Sequence, residues 1–212
     1  MPILVLSDDL ASRIAAGEVI ERPASVVKEL VENSLDAGST RIDVVVLGGG
    51  AQSITVVDNG QGIPSDELST AFERFATSKI DETSDLIAID TLGFRGEALP
   101  SIASVARVEA ISRHADSDAG ARYLVDFGKS SPVEAAGTPK GTRIEVAGLF
   151  KNVPARLKFL GSAGRELSRI QSMLASLALV YPQVAFSLNA DGRERLRTIG
   201  SGKLIDAVAG VY

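Results

Sequence analysis

The segment PASVVKELVENSLDAGSTRIDVVVLGGGAQSITVVD, residues 23–58, has the pattern of one helix followed by two strands. Its opening proline suits the first turn of a helix and Gly38 suits the position after the last turn, so we expect a helix over 23–37. The apolar runs at 41–47 and 53–57 are separated by three consecutive glycines, which predicts an antiparallel hairpin. The segment therefore predicts a helix that precedes a strand pair.

The rest of the chain alternates between strand and helix patterns. Apolar residues at helical spacing follow Ser65 and extend to Phe75, which predicts a helix there, and further helices are predicted over 101–106 and 165–181. The remaining predicted strands lie at 107–112, 121–127, 131–135, 142–147, 184–189 and 193–198. This order predicts an α/β two-layer sandwich, with a mixed, largely antiparallel eight-stranded sheet covered by helices.

Charge is unevenly distributed along the 212 residues. The chain has 22 lysine and arginine residues against 27 aspartate and glutamate residues, a net charge of −5. Counted in three parts, the net charge is −10 over 1–90, zero over 91–150 and +5 over 151–212. The acidic total argues against a surface that is basic all over, but it leaves room for a local nucleic-acid contact near the carboxyl end.

Composition excludes several kinds of site. The chain has no cysteine and one histidine, His114, in a polar stretch that reads as a turn. Disulfides, thiolate nucleophiles, cysteine-ligated metals and a Ser-His-Asp triad are therefore set aside. No apolar run approaches the ~20 residues of a membrane span, and the first residues lack the basic region of a signal peptide. We expect a cytoplasmic protein with no membrane partner.

One face of the first helix is polar. At 100° per residue, a single stripe contains Glu29, Glu32, Asn33 and Asp36. The opposite side contains Val27, Leu30, Val31 and Ser34. The stripe alone is typical of a solvated helix face. It indicates a functional site only in combination with the motifs that follow it in the chain.

A glycine motif follows the second strand. Asp58-Asn59-Gly60-Gln61-Gly62 places a carboxylate at a strand end beside two glycines that permit close backbone approach. Such a carboxylate can accept a hydrogen bond from an exocyclic amine such as that of adenine. The same residues also fit a simple turn.

Three further segments have residues suited to phosphate or to a ligand hydroxyl contact. The loop Gly93–Leu99 runs into a predicted helix, and clustered N–H groups at a helix start can bind phosphate. Residues 76–79, Ala-Thr-Ser-Lys, add hydroxyls and a cation. Thr142 opens a strand after Gly141. Each also has an ordinary interpretation as a loop, a surface lysine or a hairpin turn, and Gly93–Leu99 matches neither the Walker A nor the dinucleotide pattern.

The order of these segments resembles the ATP-binding superfamily that includes the DNA gyrase B subunit, a heat-shock chaperone, histidine kinases and MutL-type mismatch-repair proteins. The resemblance is closest to the MutL family and spans about Ile3 to Tyr212. It is based on Ile14–Ile20, Arg22–Pro23, Val27–Gly38, Asp58–Ile63, Ala76–Ile80, Gly93–Leu99 and Leu149–Arg156. The sequence Gly-Phe-Arg-Gly-Glu-Ala-Leu at 93–99 disfavours a gyrase-type topoisomerase, and the absence of a phosphoacceptor helix disfavours a histidine kinase.

This resemblance implies a Bergerat-type ATP-binding fold that uses ATP and Mg²⁺. In it Glu29 would be the general base, Asn33 would ligate Mg²⁺, and Asp58 would bind the adenine amino group with Thr142 nearby. The other nucleotide-binding residues implied are Gly60, Gly62, Ala76, Thr77, Ser78, Lys79, Gly93, Phe94, Arg95, Gly96, Glu97, Ala98 and Leu99. Relatives often have histidine where this chain has Phe75, so a polar contact at that position is not carried over.

The resemblance also implies an organisation and partners. We expect an N-terminal dimerisation arm at 1–20, an ATP-binding domain at 21–200, and at 201–212 the start of a helix leading to a further domain. ATP would order a lid and drive homodimerisation, and hydrolysis would release it. Because the family completes its site with a lysine from the next domain, we expect this chain to bind ATP and turn it over slowly. Mismatch-recognition and downstream repair proteins would be the other partners.

The segment 151–170 has a net charge of +4. A role in binding duplex or single-stranded DNA without sequence specificity would fall to Lys151, Arg156 and Lys158. A solubilising face, with Arg156 holding its own loop, explains the charge equally well. Two functions therefore remain open, a MutL-type ATPase and a nucleotide-gated dimerisation or DNA-interaction module with little turnover.

Overall fold

The computed structural model describes residues 20–77 and 96–211, which form one sheet with helices packed against it. The strands are β1 (Arg41–Leu47), β2 (Ser53–Asp58), β3 (Arg107–Arg113), β4 (Gly120–Asp126), β5 (Lys129–Ser130), β6 (Glu134–Ala136), β7 (Gly141–Ala147), β8 (Ala185–Ala190) and β9 (Arg193–Arg197). The helices are α1 (Pro23–Asp36), α2 (Ala98–Val105), α3 (Pro154–Phe159), α4 (Ala163–Val180) and α5 (Leu204–Val211). Residues 1–19 of the predicted arm at 1–20 and the site residues Ser78, Lys79, Gly93, Phe94 and Arg95 lie outside the described residues.

The sheet is mixed and largely antiparallel. Its order is β5-β4-β3-β7-β2-β1-β8-β9, and β6 also pairs with β4. Among the described strands, β1 and β8 form the parallel pair and the other pairs are antiparallel. This confirms the predicted architecture, although the described sheet has nine strands instead of the expected eight.

The core lies between the sheet and its helices. In β1 the buried residues Ile42, Val44 and Val46 alternate with more exposed ones, as a strand with one covered face requires. On α1 the buried apolar residues include Val26 and Leu30. Each such aliphatic side chain contributes about 1.5–3 kcal/mol when it is fully removed from water. Burial of these faces fixes the side of α1 that turns away from the core.

The predicted helix and hairpin at the start are confirmed. Helix α1 ends at Asp36, and Gly38 follows in the left-handed region with φ +71°. Strand β1 has its predicted bounds, and β2 extends one residue further than expected, to Asp58. The predicted catalytic and adenine-binding residues are therefore on adjacent elements.

The predicted helix between Ser65 and Phe75 is wrong. Turns occupy 65–69, and a short 3₁₀ helix covers Thr70–Phe72. Of the apolar residues in this stretch only Leu68 is fully buried, while Phe75 is 74% exposed and has φ +64°. A short helix depends on packing of a whole apolar face, which this segment does not have.

The predicted strand at 131–135 is also wrong in its bounds. Two short strands are found here, β5 just before the predicted range and β6 over its last two residues and Ala136, and each pairs with β4. Pro132 lies between them, and a proline cannot donate a backbone hydrogen bond to a sheet. The strand therefore begins three residues later than expected, and β5 is the ninth strand.

Helix α4 packs against α1 and is fixed at its amino end. A Cβ on Gly49 would lie 2.5 Å from the carbonyl oxygen of Ala163, so the loop after β1 touches the first turn of α4. The Glu166 side chain is nearly fully buried, and its Oε1 accepts hydrogen bonds from Arg169 at 2.7 Å and from the N–H of Gly161 at 3.1 Å. Arg22, just before α1, lies 3.9 Å from the same oxygen. These contacts hold the amino ends of α1 and α4 together.

None of the helices that the structure describes is both long enough and apolar enough to cross a membrane.

Candidate nucleotide-binding site

The ends of three neighbouring strands and one loop meet at the same end of the sheet. Asp58 closes β2, Ser112 is next to the end of β3, and Thr142 is the second residue of β7. Ser112 faces Thr142 in the register of β3 and β7. A Cβ on Gly141 would overlap the carbonyl oxygen of Asp58, so β2 and β7 are in direct backbone contact here. The register therefore brings together residues that are far apart in the sequence.

Asp58 is a half-buried carboxylate held by two donors. The Ser34 hydroxyl of α1 donates to Oδ2 at 2.9 Å, and the N–H of Gly60 donates to Oδ1 at 2.9 Å. Burial raises the pKa of Asp58 above its ordinary value, and the hydrogen bonds from Gly60 and Ser34 oppose that rise. The result is an oriented acceptor at the strand end, as recognition of an exocyclic amine requires.

The two glycines of the predicted motif are needed by the protein's own backbone. A Cβ on Gly60 would lie 2.7 Å from Ser39 Oγ and 2.8 Å from the Ala37 carbonyl oxygen. Gly62 has φ +76°, and a Cβ there would overlap the carbonyl oxygen of Arg113. The loop after Asp58 is thus pressed between the end of α1 and the end of β3, which fixes the position of the carboxylate.

The polar face of α1 is present, with one change from the prediction. Glu29, Asn33 and Asp36 are half-buried, whereas Glu32 is buried and its carboxylate accepts a hydrogen bond from Lys28 Nζ at 2.7 Å. Glu29 lies about 7.5 Å along the helix axis from Ser34, which binds Asp58. A single helix therefore supports both the predicted base and the predicted adenine contact.

A second group of predicted site residues meets beside α2. The N–H of Phe75 donates to the carbonyl oxygen of Gly96 at 3.1 Å, and a Cβ on Gly96 would lie 2.5 Å from the Ala76 carbonyl oxygen. Thr77 is exposed on the same strip. Glu97, Ala98 and Leu99 follow at the amino end of α2. The start of the predicted phosphate-binding segment 76–79 is thus in contact with Gly96 of the other segment, 93–99.

The basic segment has two exposed lysines and one arginine that is tied to the protein. Lys151 and Lys158 are exposed. Arg156 is half-buried, its Nη1 donates to the Ile20 carbonyl oxygen at 3.1 Å, and its guanidinium carbon lies 5.9 Å from the Phe150 ring centre. Arg156 therefore joins its helix to the start of the described chain.

Sequence reasoning missed two serines of the site. Ser34 lies on the buried face of α1, and Ser112 follows Val108 and Ala110 at the buried positions of β3. A polar residue at a position where the pattern predicts burial is the available signal for both. Their partners, however, depend on a register that is set between distant strands.

A magnesium ion at this site would have few protein ligands. In the described part of the chain, no three histidine, cysteine, aspartate or glutamate side chains are grouped closely enough to hold a metal. Mg²⁺ in nucleotide sites keeps several waters and takes one or two protein oxygens besides the phosphates. The amide oxygen of Asn33 fits that requirement.

Comparison with known proteins agrees with this geometry. The family model described as histidine kinase-, DNA gyrase B- and HSP90-like ATPase matches residues 20–152. The DNA mismatch repair protein MutL of Limosilactobacillus reuteri is 51% identical over 207 residues, which is 98% of this chain and 31% of the relative. The corresponding protein of Listeria monocytogenes is 49% identical over 210 residues, which is 99% of this chain and 35% of that relative. The chain thus spans about a third of the length of these relatives.

Solved structures give the same result. The Aquifex aeolicus MutL ATPase domain complexed with ADP is 35% identical, with a TM-score of 0.72 over 91% of this chain and 69% of that one. The N-terminal domain of a DNA repair protein is 27% identical, with a TM-score of 0.81 over 95% of this chain and 60% of that one. The chain therefore belongs to the histidine kinase-, DNA gyrase B- and HSP90-like ATPase family, in which it corresponds to the N-terminal ATPase region of MutL proteins.

Proposed function

We propose that this chain binds ATP with Mg²⁺, hydrolyses it, and uses nucleotide binding to order a lid and drive dimerisation in DNA mismatch repair. The observation that supports this most is the half-buried Asp58 carboxylate, oriented by Ser34 and Gly60 at the end of β2. A carboxylate held in this way accepts a hydrogen bond from an amino group and repels a carbonyl. It is therefore suited to the exocyclic amino group of adenine.

The chemistry would take place on the polar face of α1. Glu29 would act as the general base that activates the attacking water, because a half-buried carboxylate on a rigid helix can hold that water in line with a phosphate and accept its proton. Asn33, one turn later, would hold Mg²⁺, which would neutralise charge on the phosphates. Both residues are placed by the burial of Val26 and Leu30 on the other side of α1.

The phosphates would be held by residues 76–79 and 93–99. The amino end of α2 offers backbone N–H groups, and Thr77 adds an exposed hydroxyl. The contact between Phe75 and Gly96 brings together the two ends of the segment between them. A nucleotide held by residues 76–79 and 93–99 would order that segment as a lid. We propose that the ordered lid and residues 1–20 form the dimer contact.

The first test concerns Glu29. In the full-length protein, Glu29→Ala should lower the ATP turnover by ~10²–10⁴-fold, the range for loss of a general base, while ATP binding is retained. Glu134→Ala on the edge strand β6 removes an exposed glutamate outside the proposed site and serves as the matched control. ATP turnover by Glu29→Ala at the rate of the control would show that the role is assigned to the wrong residue.

A second candidate is a nucleotide-gated module that binds DNA and turns over little ATP. The exposed Lys151 and Lys158 favour it, because they project from the basic segment. If these two lysines contact phosphates, the factor that they contribute to the duplex binding constant should fall about tenfold between 50 and 200 mM salt.

Duplex binding measured by fluorescence anisotropy in the full-length protein would test this. Replacement of Lys151 and Lys158 by alanine should reduce the salt slope by about two, and Lys129→Ala on β5 should leave it unchanged. An unchanged slope in the double variant would remove this segment from the DNA contact.

A further inference from the structure

Ser112 is a buried hydroxyl with three partners. It is 1% exposed, and its Oγ accepts a hydrogen bond from the N–H of Ile63 at 2.8 Å. The same Oγ lies 3.1 Å from the carbonyl oxygen of Gly141 and 2.9 Å from the hydroxyl oxygen of Thr142. It therefore connects the loop after Asp58 to the start of β7, which form two sides of the proposed base site.

The hydrogen count at Ser112 allows two arrangements. A serine hydroxyl has one hydrogen and two lone pairs, and one lone pair is taken by the Ile63 N–H. If the hydrogen goes to the Gly141 carbonyl, Thr142 can donate to Ser112, and the Thr142 oxygen offers only lone pairs to a ligand. If the hydrogen goes to Thr142, the Thr142 hydroxyl is free to donate to a ligand.

A purine with an exocyclic amine bound to Asp58 would present an acceptor beside that amine. In adenine the ring nitrogens N1 and N7 lie on either side of the exocyclic amino group, and both are acceptors. Such a ligand selects the second arrangement, in which Ser112 donates to Thr142 and Thr142 donates to the ring nitrogen. Gly141, the residue before Thr142, packs directly against the backbone of Asp58, so the two contacts are held at a fixed spacing.

We propose that Ser112 is a positioning residue for base recognition, which sets the donor direction of the Thr142 hydroxyl toward a ring nitrogen of adenine. This inference rests on the proposed ATP site and adds to it a residue that does not touch the nucleotide. Ser112 makes the site selective for the acceptor pattern of the base, in addition to the amine selected by Asp58.

The test compares the affinities of ATP, 1-deaza-ATP and 7-deaza-ATP, each of which lacks one ring acceptor. In the wild-type protein, one of the two deaza analogues should bind about fivefold more weakly than ATP, since one neutral hydrogen bond is lost. We call this difference, the dissociation constant of the weaker analogue divided by that of ATP, the base ratio. In Ser112→Ala the base ratio should fall below about twofold. Ser112→Cys, whose thiol is a poor donor, keeps the side chain nearly the same size and should lose the ratio as well.

Thr198→Val is the matched control. The Thr198 hydroxyl is also buried, accepts from the N–H of Phe186 at 3.0 Å and lies 3.4 Å from the Val184 carbonyl oxygen, next to β9. Its removal should lower the free energy of unfolding by an amount similar to that for Ser112→Ala and leave the base ratio unchanged. Thr142→Val should abolish the ratio, and adding Ser112→Ala to it should change the ratio no further.

The possible results separate this inference from the proposed function. If the wild-type protein binds none of the three nucleotides, the proposed ATP site itself is wrong. If it binds ATP and both analogues equally, or if Ser112→Ala and Ser112→Cys keep the wild-type ratio, the role of Ser112 is overturned while ATP binding stands. Loss of the ratio in both Ser112 variants, with Thr198→Val unaffected, is the result we expect.

Discussion

At the scale of one residue, the proposed binding role of Asp58 needs an ionised carboxylate that lowers the stability of the folded protein. Burial raises its pKa, and the hydrogen bonds from Gly60 and Ser34 offset this only in part. The folded state therefore takes up a proton at Asp58 more readily than the unfolded state does. The ionised carboxylate costs folding free energy at neutral pH, and this cost disappears as the pH falls through the pKa of the folded state.

We expect Asp58→Asn to increase the free energy of unfolding at pH 7.5 in the absence of nucleotide. The asparagine oxygen can accept from Gly60 while its amide donates to Ser34, so no partner is left unsatisfied. The advantage over the wild type should shrink as the pH is lowered toward 4, because Asp58 then becomes neutral as well. Urea unfolding of both proteins across this range is the measurement. A difference that grows toward acid pH would mean that burial does not raise this pKa.

At the scale of elements, the glycine loop after β2 is fixed by steric contact. Gly62→Ala should lower the free energy of unfolding by more than the ~1–2 kcal/mol that a left-handed backbone costs alanine, since its Cβ would also overlap the Arg113 carbonyl oxygen.

Gly192→Ala is the control that measures the cost of the left-handed backbone conformation without a steric overlap. Gly192 has φ +77°, nearly the φ of Gly62, but a Cβ there has no neighbour within 4 Å. Urea unfolding should therefore show a smaller loss for Gly192→Ala than for Gly62→Ala. Equal losses would indicate that the loop moves to accommodate the methyl group and that the contact with β3 does not fix Asp58.

Local patterns predicted the elements that have a complete buried face. Strand β1 and helix α1 were predicted nearly to the residue, because each alternates or repeats around a covered side. Helix α3 was missed, since it is six residues long and has no buried residue for periodicity to detect. Asp58, Gly60 and Thr142 were predicted from motifs. Ser112 was missed because its partners, Ile63 and Thr142, are set by pairing between strands distant in sequence.

At the scale of the whole molecule, the proposed nucleotide-binding residues and the candidate DNA-binding residues lie in portions of the chain with opposite net charge. The acidic portion over 1–90 includes Glu29 and Asp58, and the basic portion over 151–212 includes the exposed Lys151 and Lys158. Between them, α1 and α4 are fastened at their amino ends through Glu166. Nucleotide binding at the proposed site on α1 would therefore act on a unit that includes α4, from the basic end of the chain.

The binding of ATP should stabilise this whole unit through Asp58. Unfolding followed by heat, with Mg²⁺ present and ATP at about 100 times its dissociation constant, should show about 2.7 kcal/mol of added stability, a rise in Tm of roughly 5–10 °C. Asp58→Asn should show no such rise at the same ATP concentration. A rise of equal size in wild type and Asp58→Asn, or no rise with ATP in the wild type, would contradict the assignment of this end of the sheet as an adenine nucleotide site.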